Sequence, residues 1–339
     1  MMKVLVTGAI GYIGSHTIVE LCNANYEPVL LDNLSNTNLS VLNNLEILCN
    51  RKLKFYKADV RDLNSLRDIF INEQNINTII HFAAKKAVNE SINNPLDYYD
   101  NNISGLINVL KCAEEFNIEH FIFSSSCTVY GEPDSLPVDE NMPRKISLSP
   151  YGNTKRIGEE LIEEFIKFKN SFKAIILRYF NPVGAHESAL IGELPNGIPN
   201  NLMPFITQTA IGIREELKVF GNDYNTPDGT CIRDFIHVSD LANAHVKAIE
   251  YSNLMNSKID YFNVGTGNGF SVLELIQNFE NKNNVKLNYT ITRRREGDIE
   301  QIFSNTQKIN KTMKWFPKYS LEDMVSSSWN WELFLNKTQ

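Results

Sequence analysis

Residues 3–32 read KVLVTGAIGYIGSHTIVELCNANYEPVLLD, and the order of features in this stretch decides the fold. An apolar run (3–7) meets three glycines, Gly8, Gly11 and Gly14; a helical pattern over 12–25 follows at once, and a second apolar run (28–32) closes at Asp32. Runs of Val, Leu and Ile with little alternation suit strands covered on both faces, as in a parallel sheet. Each glycine of the G-x-x-G-x-x-G spacing has its own task. Gly8 allows a tight turn, Gly11 lets the backbone approach a pyrophosphate, and Gly14 lets the helix pack on the strand. The helix N-terminus then presents N–H groups and partial positive charge to phosphates. A turn that is only flexible needs neither this spacing nor the strand and helix around it. Asp32 lies 18 residues beyond Gly14. A carboxylate there accepts hydrogen bonds from both hydroxyls of an adenosine ribose and repels a 2′-phosphate, which predicts NAD rather than NADP. The plain alternative is a loop turn made by Asp32 with Asn33.

Working outward, the same alternation continues through KFYKAD (54–59), NTIIHF (77–82), HFIFSSS (120–126) and KAIILRYF (173–180), with helices expected near 62–75, 96–117 and 151–169. Strand–helix–strand repetition with right-handed crossovers predicts a doubly wound parallel α/β sheet, Rossmann-like. After Asn181-Pro182 the texture changes: residues 182–204 are rich in Pro and Gly, as in an irregular region over a site. The expected boundary falls there, with an NAD-binding domain over 1–180 and a smaller α/β substrate-binding domain over 181–339. The latter should hold helices near 201–215, 238–251 and 271–281 and the run LKVFG (217–221), while the strand near 261–265 can return to the first sheet. The Asn43-Asn44 and Asn93-Asn94 patches predict turns.

Composition bounds the rest. Of 339 residues, 42% are hydrophobic and 22% charged, enough apolar material for a core without disulfides or metals. A net charge of -7 argues against nucleic-acid binding. Five cysteines, widely spaced and without C-x-x-C, argue against a disulfide framework or zinc site and fit a reducing compartment. MMKVLVTG is too short an apolar run for a signal peptide, and no stretch approaches the ~18 apolar residues of a membrane span. The expectation is a cytoplasmic protein with no metal, membrane or nucleic-acid partner.

Tyr151 and Lys155 form a Y-x-x-x-K pair at the start of a helix, facing one way. A free phenol, with a pKa near ~10, is a poor base at neutral pH. A neighbouring ammonium and a positive nicotinamide ring favour the phenolate, and a lowering of ~3 units takes ~4 kcal/mol, within reach of a dry site. The pair alone is a weak signal; its place after the fifth strand carries the weight. Ser124-Ser125-Ser126 ends that strand at the carboxyl edge where ligands of such sheets bind. A serine hydroxyl there can share a proton between a substrate oxygen and the tyrosine, or simply be a polar strand end. Asp59, at the end of the third strand, either meets the adenine edge or is an exposed carboxylate.

These residues, with longer segments, resemble the extended short-chain dehydrogenase/reductase family and, within it, the nucleotide-sugar 4-epimerases. The segments are VLVTGAIGYIGSHT (4–17), LDNLSN (31–36), YYDNNISG (98–105), FIFSSSCTVYG (121–131), SPYGNTK (149–155), LRYFNPVGAH (177–186), GIPNNLMP (197–204), VFGNDY (219–224), RDFIHVSDLA (233–242) and RRREGD (293–298). The resemblance implies reversible C4 epimerisation of UDP-glucose and UDP-galactose through a 4-keto intermediate, with tightly bound NAD. It also implies a homodimer formed through the helices near 96–117 and 151–169. By the same resemblance Tyr151 is the base, Lys155 its pKa-lowering partner and a nicotinamide-ribose ligand, and Ser126 the hydroxyl at the sugar O4. Tyr12, Ile13, Asn33, Asn36, Val60, Phe82, Ala83, Ala84, Lys86, Asn101 and Phe180 line the cofactor. Asn181, Asn201 and Leu202 hold the sugar nucleotide, Phe220 lies by the uracil, Arg233 and Arg295 neutralise the diphosphate, and Asp298 binds the uridine ribose. Ile302 stands where members vary in side-chain size beside the sugar, which implies that an N-acetylhexosamine pair is converted less readily than the glucose pair. Ala84 and Asn89 stand where the family commonly has glycines.

Two other readings share parts of this pattern. A nucleotide-sugar 4,6-dehydratase uses the same cofactor, Tyr and Lys, but needs an Asp-Glu pair directly after the strand-end hydroxyl; those positions are Cys127 and Thr128. A non-catalytic NAD-binding sensor has no use for Ser126, Tyr151 and Lys155 together.

Overall fold

The apolar runs of the first half become strands β1 (Lys3–Thr7), β2 (Glu27–Asp32), β3 (Lys54–Lys57), β4 (Ile76–His81), β5 (His120–Ser126) and β6 (Lys173–Tyr179). In the computed structural model, which describes residues 1–147, 149–169, 171–295 and 297–338 (the side chain of Thr338 excepted), they form a seven-stranded parallel sheet. Its order is Ile259–Val264, β6, β5, β4, β1, β2, β3. The chain therefore winds outward in both directions from the β1/β4 junction, and such a switch point opens a crevice at the strands' carboxyl ends. Val and Ile alternate little because both faces are covered: Leu5, Val29, Ile79, Phe121 and Ile176 share one core with Leu66, Val109 and Ile162 from the flanking helices. Each such side chain contributes about 1.5–3 kcal/mol when buried.

The helices are α1 (Tyr12–Asn23), α2 (Ser40–Leu48), α3 (Leu63–Asn72), α4 (Val88–Asn93), α5 (Pro95–Tyr99), α6 (Gly105–Glu115) and α7 (Pro150–Lys167). Asp62 caps α3 by accepting from the Asn64 and Ser65 N–H groups, and Ser149 caps α7 at Gly152 N–H with Pro150 in the first turn. The helix expected over 96–117 is in fact α5, a π turn at Asp100–Ser104, and α6. Asn43 and Asn44 do not make a turn: they lie inside α2, which forms because Val41 and Leu45, four residues apart, bury one stripe. Neither Ala84 nor Asn89 needs glycine's freedom, since neither has positive φ.

By internal contacts the chain divides into two units. One comprises Met1–Gly131, Pro143–Arg178 and Ala242–Phe262; the other comprises Glu132–Met142, Tyr179–Leu241 and Asn263–Gln339. The second unit has its own core, with Met203, Ile206, Leu217, Val219, Phe235, Leu275, Phe279 and Val325 at its centre. The helix expected over 201–215 ends at Ala210, where Ile211 and Gly212 turn the chain. Helices Gln307–Met313 and Leu321–Thr338 had no strong sequence signal. Buried Asp234 ties this unit's loops together, accepting from the N–H and hydroxyl of both Thr266 and Ser304 and from Gly267 N–H.

Candidate active site

At the end of β1 the backbone turns through Gly8 (φ +69°), and a Cβ there would lie 2.9 Å from Ala83 N. Gly14 lets α1 settle on the turn, for its Cβ would lie 2.2 Å from the Gly8 carbonyl oxygen and 2.9 Å from that of Ala9. At Gly11 the nearest atom to a Cβ is the same Gly8 oxygen, at 3.3 Å. No side chain caps α1, and its first turn has no acidic residue, so its amide end is left for an anion. A pyrophosphate fits this cradle. Tyr12 and Ile13 open α1, and the Lys86 ammonium lies 5.7 Å from the Tyr12 ring centroid. Phe82 and Ala83 follow β4, bound to β1 through Phe82 N–H to Thr7 O (3.0 Å) and Ala83 N–H to Thr7 Oγ1 (3.3 Å).

Asp32 is buried at the tip of β2 and accepts from Leu34 N–H (2.9 Å) and Ile10 N–H (3.3 Å). Burial raises its pKa, and these backbone bonds oppose the rise. Asn33 donates to Asp59 Oδ2 at 2.9 Å, while Asn36 is exposed. Asp59 is also gripped by Arg61, which holds its carboxyl well below the usual range, so much of its acceptor capacity is spent within the protein. Val60 is buried. Buried Asn101 donates to Asn102, a residue sequence reasoning passed over. Asn102 accepts from Lys85 N–H and donates to Lys85 O and Thr154 Oγ1, tying the loop after β4 to α7. The one available signal was the paired Asn in YYDNNISG.

The three serines of β5 sort themselves by partner. Ser124 Oγ lies 3.0 Å from His245 Nε2, and Ser125 donates to Glu159 at 2.5 Å, inside a buried ion pair with Arg178. Ser126 is the serine that acts on the tyrosine: its hydroxyl lowers the Tyr151 pKa, and its oxygen accepts Thr128 N–H at 3.2 Å. Tyr151 is buried against Ala87 and Tyr98. Lys155, one helical turn on, donates from Nζ to Ser124 O at 2.6 Å and lies 5.1 Å from the Phe123 ring. Burial brings its pKa down to about 8, against the pull of Glu159. The expected lowering of the phenol by Lys155 does not appear. Burial pushes Tyr151 up to about 12, more than Ser126 lowers it, and the Lys155 ammonium is committed to the Ser124 carbonyl. Thr128 Oγ1 is buried with no hydrogen-bond partner, a second hydroxyl near Ser126 that the sequence reading treated only as a missing carboxylate.

In the second unit Phe220, Arg295 and Asp298 come together. Arg295 lies 5.6 Å from the Phe220 ring and binds Asp298 Oδ1 through Nε (3.1 Å) and Nη2 (2.5 Å). Glu296 of the same RRREGD run lies outside the described residues. Arg233 and Ile302 pair in register on adjacent short strands; Ile302 is buried, and the Arg233 guanidinium donates to Ile232 O. Asn201 donates to Glu193 at 2.6 Å just before Leu202 begins a helix. Asn181 N–H donates to Asp234 O, and Phe180 is buried with its N–H on Val264 O.

Among the described residues no helix is long and apolar enough to cross a membrane. A family model described as GDP-mannose 4,6 dehydratase matches residues 5–328. The chain is 46% identical over 332 residues to a UDP-glucose 4-epimerase of Bacillus subtilis (strain 168), covering 98% of this chain and 97% of that protein. It is similar to the crystal structure of UDP-glucose-4-epimerase from Stenotrophomonas maltophila with bound NAD and formylated UDP-arabinopyranose. There the TM-score is 0.97 at 42% identity, with all of both chains covered. The enzyme from Bifidobacterium longum in complex with NAD+ and UDP gives a TM-score of 0.95 at 40% identity, covering 99% and 100%.

Proposed function

The chain belongs to the UDP-glucose 4-epimerase family of the extended short-chain dehydrogenases/reductases, and from that premise we propose that it interconverts UDP-glucose and UDP-galactose at C4, with NAD as its resident cofactor. The observation that carries the reading is the Lys155 Nζ bond to the Ser124 carbonyl (2.6 Å), which brings the face of α7 with buried Tyr151 and Lys155 onto the serine end of β5, in the same unit as an uncapped helix end behind three glycines. Gly8, Gly11 and Gly14 would hold the pyrophosphate, Asp32 the adenosine ribose, and Lys155 the nicotinamide ribose. NAD bound there would supply a reversible hydride acceptor for C4 and a positively charged ring beside the phenol.

The protein's own part is proton traffic and grip. Tyr151 Oη takes the C4 hydroxyl proton and later returns it, and Ser126 Oγ, whose hydroxyl already acts on the phenol, relays or shares it. Lys155, still mostly protonated at neutral pH, supplies positive charge and further donors beyond the Ser124 carbonyl. Arg233 and Arg295 would pair with the diphosphate through charge-assisted bonds, with Phe220 at the uracil, Asp298 at its ribose, and Asn181, Asn201 and Leu202 along the sugar nucleotide. Anchoring by the nucleotide leaves the hexose free to turn between half-reactions. Ile302 sets the room beside the sugar, so the N-acetylated pair is a secondary substrate.

The dehydratase reading shares the family model's name but lacks the acid pair, since Cys127 and Thr128 carry no carboxylate. The family resemblance supports a homodimer through α6 and α7, and five free thiols suit the cytoplasm. The test is Tyr151→Phe. Turnover of UDP-galactose should fall by about 10²–10⁴-fold with NAD binding retained, and activity within a few-fold of the parent removes Tyr151 from the chemistry.

A further inference from the structure

Away from the groups already assigned, two cysteines meet beneath an arginine. Cys22 lies in the last turn of α1 and Cys49 directly after α2, two residues before the arginine that bonds Cys22, and each thiol acts on the other's ionisation. Arg51 donates from Nη2 to Cys22 Sγ at 3.0 Å, and the same nitrogen is fixed on Tyr26 O at 2.8 Å. Both thiols are half-buried and reachable, whereas Cys112 and Cys231 are buried. We propose that Cys22 and Cys49 are a peroxide-reactive thiol pair that closes to a reversible intramolecular disulfide between the ends of α1 and α2.

The two sulfurs have different parts. Cys49 and the Arg51 guanidinium hold the Cys22 thiol down to about 7 against its burial, which makes it the attacking thiolate. Cys49 is pushed up by Cys22 and by its own burial and keeps its proton. The Cys22 thiolate attacks one peroxide oxygen, the O–O bond breaks, and with one proton taken up the products are a sulfenic acid and water. The Cys49 sulfur then attacks Cys22 sulfur, the S–O bond breaks, and the oxygen leaves as water with the Cys49 proton. Two thiols lose two electrons and peroxide becomes two waters. Cys22 lies ten residues along α1 from Tyr12, about 15 Å from the glycine turn, so closure does not touch the groups assigned to catalysis.

The experiment treats the full chain with hydrogen peroxide, with no other thiol present. Intact mass should fall by two hydrogen atoms, titratable thiols should drop from five to three, and the digest should contain a Cys22–Cys49 linked peptide. A thiol reductant should reverse all three. In Cys49→Ser, dimedone should label Cys22, and in Arg51→Gln the wild-type reaction should slow about 3–10-fold, the lost thiolate being partly offset by higher nucleophilicity. Five thiols persisting in excess peroxide, a first lesion at Cys127, or an Arg51→Gln rate equal to the parent's would each overturn the proposal.

Discussion

Replacing Gly14 and Gly11 separately with alanine tests whether the glycine turn is built as one packing contact and one ligand contact. At Gly14 the new Cβ would sit 2.2 Å from the Gly8 oxygen and 2.9 Å from the Ala9 oxygen, both backbone atoms that no rotamer change can move. Recovering ordinary contact distance needs a shift of about 1 Å between α1 and the end of β1, and overpacking of that kind costs about 1–3 kcal/mol. At about 2–4 °C per kcal/mol for a unit of this size, Gly14→Ala should lower the melting temperature by about 3–10 °C. At Gly11 the same methyl meets only the Gly8 oxygen at 3.3 Å, a contact eased by a few tenths of an ångström. Gly11→Ala should therefore melt within about 2 °C of the parent. Its cost should fall on the cofactor, because a methyl on the face offered to the pyrophosphate should weaken NAD by at least about tenfold, or 1.4 kcal/mol. Thermal unfolding of the cofactor-free protein and titration calorimetry with NAD separate the two. Equal loss of stability in both variants, with NAD affinity intact in Gly11→Ala, would falsify the division of labour.

Asp32→Ala should weaken NAD and narrow its advantage over NADP; unchanged affinities for both cofactors would take Asp32 out of the site. Ile302→Tyr should suppress conversion of the N-acetylated pair about 10–100-fold relative to the glucose pair, and a constant ratio of kcat/KM values means that Ile302 is not the gate. His81, buried beside Lys155 and bonded to Thr7, is pushed down to about 3 by burial first and then by that ammonium. Its folded pKa lies below the unfolded 6.5, so its contribution is whole above about pH 6.5 and is lost as pH falls toward 3, at about 1.4 kcal/mol per unit. Urea unfolding between pH 6.5 and 5 should cost the parent about 2 kcal/mol more than His81→Gln, and parallel losses in the two proteins would discard the linkage.

What was legible in the sequence was what local pattern controls. β5 ends at Ser126 and β1 at Thr7, as the apolar runs indicated, because a strand buried on both faces leaves an unbroken hydrophobic signal. The Tyr151–Lys155 spacing is likewise a local fact of helical geometry. The helix α2 was hidden because only Val41 and Leu45 are buried, while Leu42, Ile47 and Leu48 are apolar outside that stripe and blur its period. The π turn at Asp100–Ser104 has no period of its own, yet it leaves both Asn101 and Asn102 buried. Three consecutive serines are indistinguishable by type, and only long-range partners, His245 for Ser124 and Glu159 for Ser125, leave Ser126 for the tyrosine. The high phenol pKa depends on burial, a tertiary quantity that no spacing reports.

The measurement that bears most directly on redox-neutral epimerisation is a direct chromatographic assay of UDP-galactose conversion by the purified protein with no NAD added, with near-ultraviolet absorbance followed in the same sample. UDP-glucose should form over many turnovers, accompanied by partial or transient reduction of the resident nicotinamide and no net consumption of oxidant. Conversion that stops after one equivalent, or that proceeds with no dependence on bound NAD, would contradict the mechanism.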